Sequence, residues 1–142
     1  MWVIVHAASG LALGTLLHAP LWVVVPAALA LHVLLDLVPH WDYTSSSRRL
    51  LWAALDVGGA IVLVVAVWKG VGLPTRALVA AMVSALPDLD VIQAVLPLRR
   101  DRAFFPSHWR SFPHGACGPG WGIAVQAAVV VLSLAVVTAW GK

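Results

Sequence analysis

Residues 31–43 read LHVLLDLVPHWDY. Two histidines and two aspartates stand among leucine, valine, proline and aromatic residues. His32 and Asp36 are four residues apart, so a helix places both on one face. What such a face does depends on the solvent around the helix, and the rest of the chain decides that. Of 142 residues, 61% are hydrophobic and 11% charged, and the mean hydropathy is +0.92. A soluble domain carries about 25% charged residues. A chain this poor in charge cannot coat a soluble surface, so the expected fold class is all-α: a polytopic membrane protein with about five transmembrane helices in one bundle.

Nine basic and six acidic residues leave a net charge of +3. In so apolar a chain a basic excess marks cytoplasmic loops and not a nucleic-acid surface. One cysteine, Cys117, leaves no intrachain disulfide and does not decide the compartment. The opening stretch MWVIVHAASGLALGTLLHAP has no basic n-region and reads as a retained span, not a cleaved signal peptide. No soluble domain, repeat or low-complexity segment interrupts the chain, which reads as a single domain, 1–142.

Apolar runs place the five spans near 2–18, 21–39, 50–68, 74–97 and 120–140, each close to the length of about 20 residues that crosses a bilayer. Pro20, Pro39, the polar run TSSSRR (44–49), the group Lys69, Gly70, Gly72 and Pro74, and finally Pro97 mark the breaks. Residues 98–119 form the one long loop. Trp2, Trp22, Trp41, Trp52, Trp68, Trp121 and Trp140 fall near span ends, at the headgroup level Trp prefers, and Trp109 falls in the loop. Arg48, Arg49, Arg99, Arg100, Arg102 and Arg110 lie in the two loops on one side. The positive-inside rule then puts those loops and the N-terminus in the cytoplasm, in an integral protein of a bacterial inner membrane.

On this division His6, His32, Asp36, Asp56, Asp88 and Asp90 all sit in the cytoplasmic half of their helices, below His108 and His114 of the long loop. Pro87 in SALPDLDV (84–91) can bend the fourth helix, so that Asp88 and Asp90 both face inward. An ionised Asp at mid-bilayer costs roughly 2.5–3.5 kcal/mol, so four together could cost on the order of 10 kcal/mol. A divalent metal would offset that, since structural zinc sites release roughly 10–16 kcal/mol. Imidazole with carboxylate suits zinc, then manganese or iron, better than magnesium or calcium. A cluster without cysteine fits an open catalytic site better than a closed structural one. The simpler reading of each group is a helix-packing hydrogen bond. His18 and His40 read as interfacial residues, Asp42 as a cap or solvated, and Asp101 and Ser45–Ser47 as loop. Gln126 reads either as a partner of the site or as a packing hydrogen bond.

His6 with its small neighbours, HVLLD (32–36), LPDLD (86–90) and HWRSFPH (108–114) together resemble the motif set of the membrane-bound metal-dependent hydrolases of the YdjM type. Val91 stands where that family usually carries a histidine, and HxxxD here precedes PDxD. The resemblance implies His6, His32, Asp36, Asp88, Asp90, His108 and His114 as ligands for one or two divalent ions. It brings no substrate with it, and Asp56 has no counterpart in it. The expected function is a membrane-embedded metal hydrolase, with Asp90 or Asp56 as general base. A site at headgroup-to-acyl depth points to a membrane lipid ester or phosphoester as substrate. A metal-ion or proton transporter and a non-catalytic scaffold are the alternatives. A transporter needs polar groups on a path to both faces, and the opposite half of this chain has almost none.

Overall fold

The computed structural model describes residues 1–90, 103–109 and 111–141. Among them lie five α-helices and no strand: α1 Val3–Leu16, α2 Leu21–Leu37, α3 Arg49–Val71, α4 Thr75–Ala85 and α5 Pro119–Trp140. Short 3-10 turns cover Tyr43–Ser45, Leu86–Asp88 and Pro106–His108. Arg99, Arg100, Asp101, Arg102, Arg110 and the expected span end at Pro97 lie outside the described residues.

The helix boundaries follow local chemistry. Pro20 is the N-cap of α2. Val38 leaves the helix with ψ of 142°, because a residue before proline is pushed out of the α region. Gly72 closes α3 at φ of 75°, a left-handed position that glycine adopts without steric cost. The expected fourth span is regular only to Ala85 and then tightens into the Leu86–Asp88 turn. Pro87 has no N–H to donate, and its ring clashes with the carbonyl four residues back.

Among the described residues only α3 and α5, of 23 and 22 residues with mean hydropathy 2.4 and 2.3 over their most apolar stretch, are long and apolar enough to cross a bilayer. The expected first and second spans shorten to 14 and 17 residues. Their outermost turns are spent on the connections around Pro20 and Pro39.

Helix α1 packs against all four other helices, and ten of its residues are buried. Its small residues permit this. A Cβ at Gly10 would lie 2.5 Å from the Ala80 carbonyl, and one at Gly14 would lie 2.5 Å from the Ala77 Cα. Two glycines one turn apart thus let α1 and α4 meet backbone to backbone, the small-xxx-small packing common between membrane helices. Ser9 meets Ser133 of α5 at 3.2 Å. Leu11, Ala12, Leu73, Ala77, Ala81 and Val137 form an apolar core at the far end of α1. The outward faces are apolar as well: Trp22, Val62, Val131 and Leu132 are exposed by 64% or more.

Pairs of contacts fix directions: Gly10 with Ala80 and Gly14 with Ala77 for α4, Trp2 with Gln126 and Ser9 with Ser133 for α5, Val3 with Asp56 and the far-end core with Val67 and Trp68 for α3, and His6 with Asp36 and Leu13 with the Val24 cluster for α2. α3 and α5 run with α1, and α2 and α4 run against it. The starts of α1, α3 and α5 and the ends of α2 and α4 therefore share one end of the bundle. Nearly every histidine and aspartate is there.

Candidate metal centre

The site begins with the depth of α1. The first turn of any helix has N–H groups without intrahelical acceptors. Here the Val3 and Ile4 N–H groups donate to the two oxygens of Asp56, both at 2.9 Å, and the Trp2 N–H donates to Gln126 at 3.0 Å. The Tyr43 hydroxyl also donates to Asp56, at 3.0 Å. Asp56 thus caps α1 from another helix, where its negative charge also suits the helix dipole. Gln126 donates in turn to the Trp41 carbonyl at 3.3 Å, which makes it a packing residue. Around these bonds Trp2 meets Tyr43 and Trp41 meets Trp52 edge to face, and Trp2 lies tilted against Trp41 and Trp52. Asp56→Ala should cost about 3 kcal/mol, because three donors lose their acceptor. The check is the melting temperature in detergent, and an unchanged value would remove Asp56 from the fold's supports.

With α1 at this depth, His6 lies fully buried beside α2 and α4. Its Nε2 is 3.3 Å from Asp36 Oδ1 and 3.7 Å from Asp88 Oδ2. His32 Nε2 is 3.1 Å from Asp36 Oδ2. His108 Nε2 is 3.6 Å from both Asp36 Oδ2 and Asp88 Oδ1. The His6 and His32 rings stack with centroids 4.0 Å apart. The Met1 nitrogen also reaches Asp36 Oδ1, at 2.7 Å.

These separations suit a cation at the centre. Ligand atoms bonded to zinc at about 2.0–2.1 Å stand about 3.3 Å from one another in a tetrahedron. The hydrogen-bond inventory points the same way. Both nitrogens of His6, Nε2 of His32, Oδ2 of Asp36 and both oxygens of Asp88 are buried without a hydrogen-bond partner among the described residues. Buried polar atoms in folded proteins are nearly always paired, and each exception needs a physical cause. Two triads, His6–His32–Asp36 and His32–Asp88–His108, hold ligand atoms within 4.8 Å of one another and can hold a metal ion.

The outer nitrogens of the His32 and His108 rings are also anchored as metal ligands require. His32 Nδ1 bonds the Ser84 carbonyl at 2.8 Å, and His108 Nδ1 faces Asp90 Oδ2 at 3.3 Å. Such partners fix the tautomer and turn the other nitrogen toward the ion. Asp90 also accepts the Phe104 and Phe105 N–H groups, at 3.0 and 2.9 Å, and so ties the loop to the bundle end. Asp90 therefore stands behind His108, while Asp88 faces the cluster directly. Burial lowers the pKa of His108, but the Asp36, Asp88 and Asp90 carboxylates around it outweigh that and raise it.

His40 departs from its expected interfacial position. It is fully buried, its ring is 5.2 Å from that of His114, and Asp36, His40 and His114 make a third triad with ligand atoms within 4.8 Å. The signal for it was the spacing His32, Asp36, His40, one turn apart twice over, masked by Pro39. Asp42 behaves as a cap, with its carboxylate accepting the Thr44 N–H at 2.8 Å. His18 is exposed and bonds the Leu16 carbonyl at 2.9 Å. A pocket of about 360 Å³ opens over the cluster, lined in part by Tyr43, Asp88, Asp90, His108, Trp109 and His114.

The class these features define is an all-helical bundle with two helices of membrane-spanning length and a buried His/Asp cluster of metal-binding geometry. No family model, curated protein or solved structure matches the chain.

Proposed function

We propose that the protein is a membrane-embedded, metal-dependent hydrolase whose His/Asp centre lies near the cytoplasmic face of a bacterial inner membrane. The observation that carries this reading is the set of buried nitrogen and oxygen atoms of His6, His32, Asp36 and Asp88 that converge below a pocket without a hydrogen-bond partner among the described residues. Zinc is the proposed ion, with manganese or iron as the other suitable chemistries for imidazole and carboxylate ligands. A divalent ion there would polarise a substrate oxygen and make water a stronger acid.

The chain's own groups have separable parts in this reading. His6, His32, Asp36, Asp88 and His108 hold the ion. Asp88 also lines the pocket, where it can take a proton from water. Asp90 is a positioning residue through His108, and Asp56 supports the fold. The pocket volume suits a headgroup-sized ligand. With the apolar outer faces in lipid, the pocket mouth would lie at headgroup depth, and a lipid ester or phosphoester is the proposed substrate. All five helices are proposed to lie within the bilayer, with the short α1, α2 and α4 sheltered between the long α3 and α5. The likeness to YdjM-type hydrolases rests on the same residues and supports the same chemistry.

The deciding experiment compares metal content, melting temperature and lipid-ester or phosphoester hydrolysis for wild type, Asp88→Ala and Asp90→Ala in detergent. Wild type should carry metal and turn over substrate, Asp88→Ala should lose both, and Asp90→Ala should bind metal about 10–100-fold more weakly. Metal-free, inactive wild type with variants that only melt earlier would overturn the enzyme reading in favour of a packing layer. Orientation is read separately by single-cysteine labelling in a Cys117→Ala background. Positions 44–49 should label from the cytoplasmic side, and labelling from outside only would invert the topology.

A further inference from the structure

We propose that the protein binds a second divalent cation, held by Asp36, His40 and His114, with the Asp36 carboxylate shared between this ion and the buried His6–His32–Asp88–His108 site. This rests on the metal reading above and extends it from one ion to a two-ion centre.

His40 carries the argument. It is 0% exposed. Its Nδ1 is fixed by the Val38 carbonyl at 2.8 Å, and its Nε2 is buried with no hydrogen-bond partner among the described residues. That is the same arrangement as His32, with one nitrogen anchored on a backbone carbonyl and the other unpartnered among the described residues, and His40 likewise has a ligand atom within 4.8 Å of an Asp36 oxygen.

The backbone around His40 is built to hold His114 beside it. The Gly115 N–H donates to the Asp36 carbonyl, the His40 N–H to the Gly115 carbonyl and the Cys117 N–H to the His40 carbonyl, all at 2.8 Å. A Cβ at Gly115 would run into the Val38 backbone oxygen, so only glycine lets the two chain segments approach this closely. Residues 115–117 are thereby strapped to the chain segment that carries Asp36 and His40. His114, the residue just before the strap, is set at the pocket wall.

Asp36 can serve both ions. A carboxylate has about four lone-pair directions, and two-metal hydrolytic sites place their ions about 3.5–4 Å apart. The buried site is enclosed by α1, α2 and α4. The second faces the pocket through His114, which is exposed. The outer ion is therefore the exchangeable one and the one nearer to substrate.

The test is a Mn²⁺ titration of the full-length, metal-stripped protein in detergent, followed by equilibrium binding and electron paramagnetic resonance. Wild type should bind two equivalents and give a spin-coupled two-manganese signal. His114→Ala, which alters an exposed side chain, should keep one equivalent, weaken the second by at least about 100-fold and show only an uncoupled signal. His40→Gln should do the same while retaining a side chain of similar size, and His18→Ala should match wild type. One equivalent in wild type, or two coupled equivalents that survive both variants, overturns the second site and leaves the first standing. No binding in wild type overturns both.

Discussion

Asp36→Asn, purified in detergent beside the wild type, should retain less than about a tenth of its metal. The Asp36 carboxylate lies 3.3, 3.1 and 3.6 Å from the nitrogens of His6, His32 and His108, more ring contacts than Asp88 makes. Removing a partner behind a ligand already costs about 10–100-fold in metal affinity, so losing the ligand itself should exceed that. The fold should survive, because the amide keeps the shape and removes a buried charge. The measurable cost appears only with metal present: an ion at 100 times its dissociation constant stabilises the folded state by about 2.7 kcal/mol, and the variant forgoes this. Wild type should therefore melt lower after chelation, and Asp36→Asn should melt at one temperature with or without chelator. Full metal content in the variant would exclude Asp36 from the ligand set.

Gly10→Leu should lower stability and metal content together. Any Cβ at residue 10 would sit 2.5 Å from the Ala80 oxygen and 2.6 Å from the Ala81 Cα, both backbone atoms. Neither helix can yield locally, so α1 and α4 must separate. The cost should reach or pass about 3 kcal/mol, the upper end of ordinary overpacking. The same separation draws His6 on α1 away from Asp88 beyond α4, now 3.7 Å apart. Gly58 has nothing within 4 Å of an added Cβ, and Gly58→Ala should leave both properties at the wild-type level. An unchanged melting temperature for Gly10→Leu would mean that the two backbones do not meet as described.

These variants separate what is local from what is not. His32 and Asp36 could be paired from the sequence because one helical turn joins them. Pro87 announced the irregular end of α4 because its ring acts on the preceding turn. Asp56 could not be assigned, because its partners are the Val3 and Ile4 N–H groups at the far end of the sequence interval from residue 3 to residue 56. Gln126 was open for the same reason, since its two contacts are on Trp2 and Trp41. Asp90 read as a candidate base because it is acidic and near the centre. Only the return of the chain at residues 104–108 gives its oxygens to backbone N–H groups and His108.

Composition and periodicity by themselves determined that this is a helical chain, too apolar to coat a soluble surface, with its ionisable residues gathered toward one end of its helices. Both follow from interactions within one helix or from the chain's average cost of meeting water. Tertiary structure alone decided that α1 is the central helix, that Asp56 caps it, and that His40 joins His114 through the strap at residues 115–117. Those outcomes rest on contacts between residues dozens of positions apart, where close backbone approach at Gly10, Gly14 and Gly115 selects the neighbour. Helical spacing contains no term for that choice.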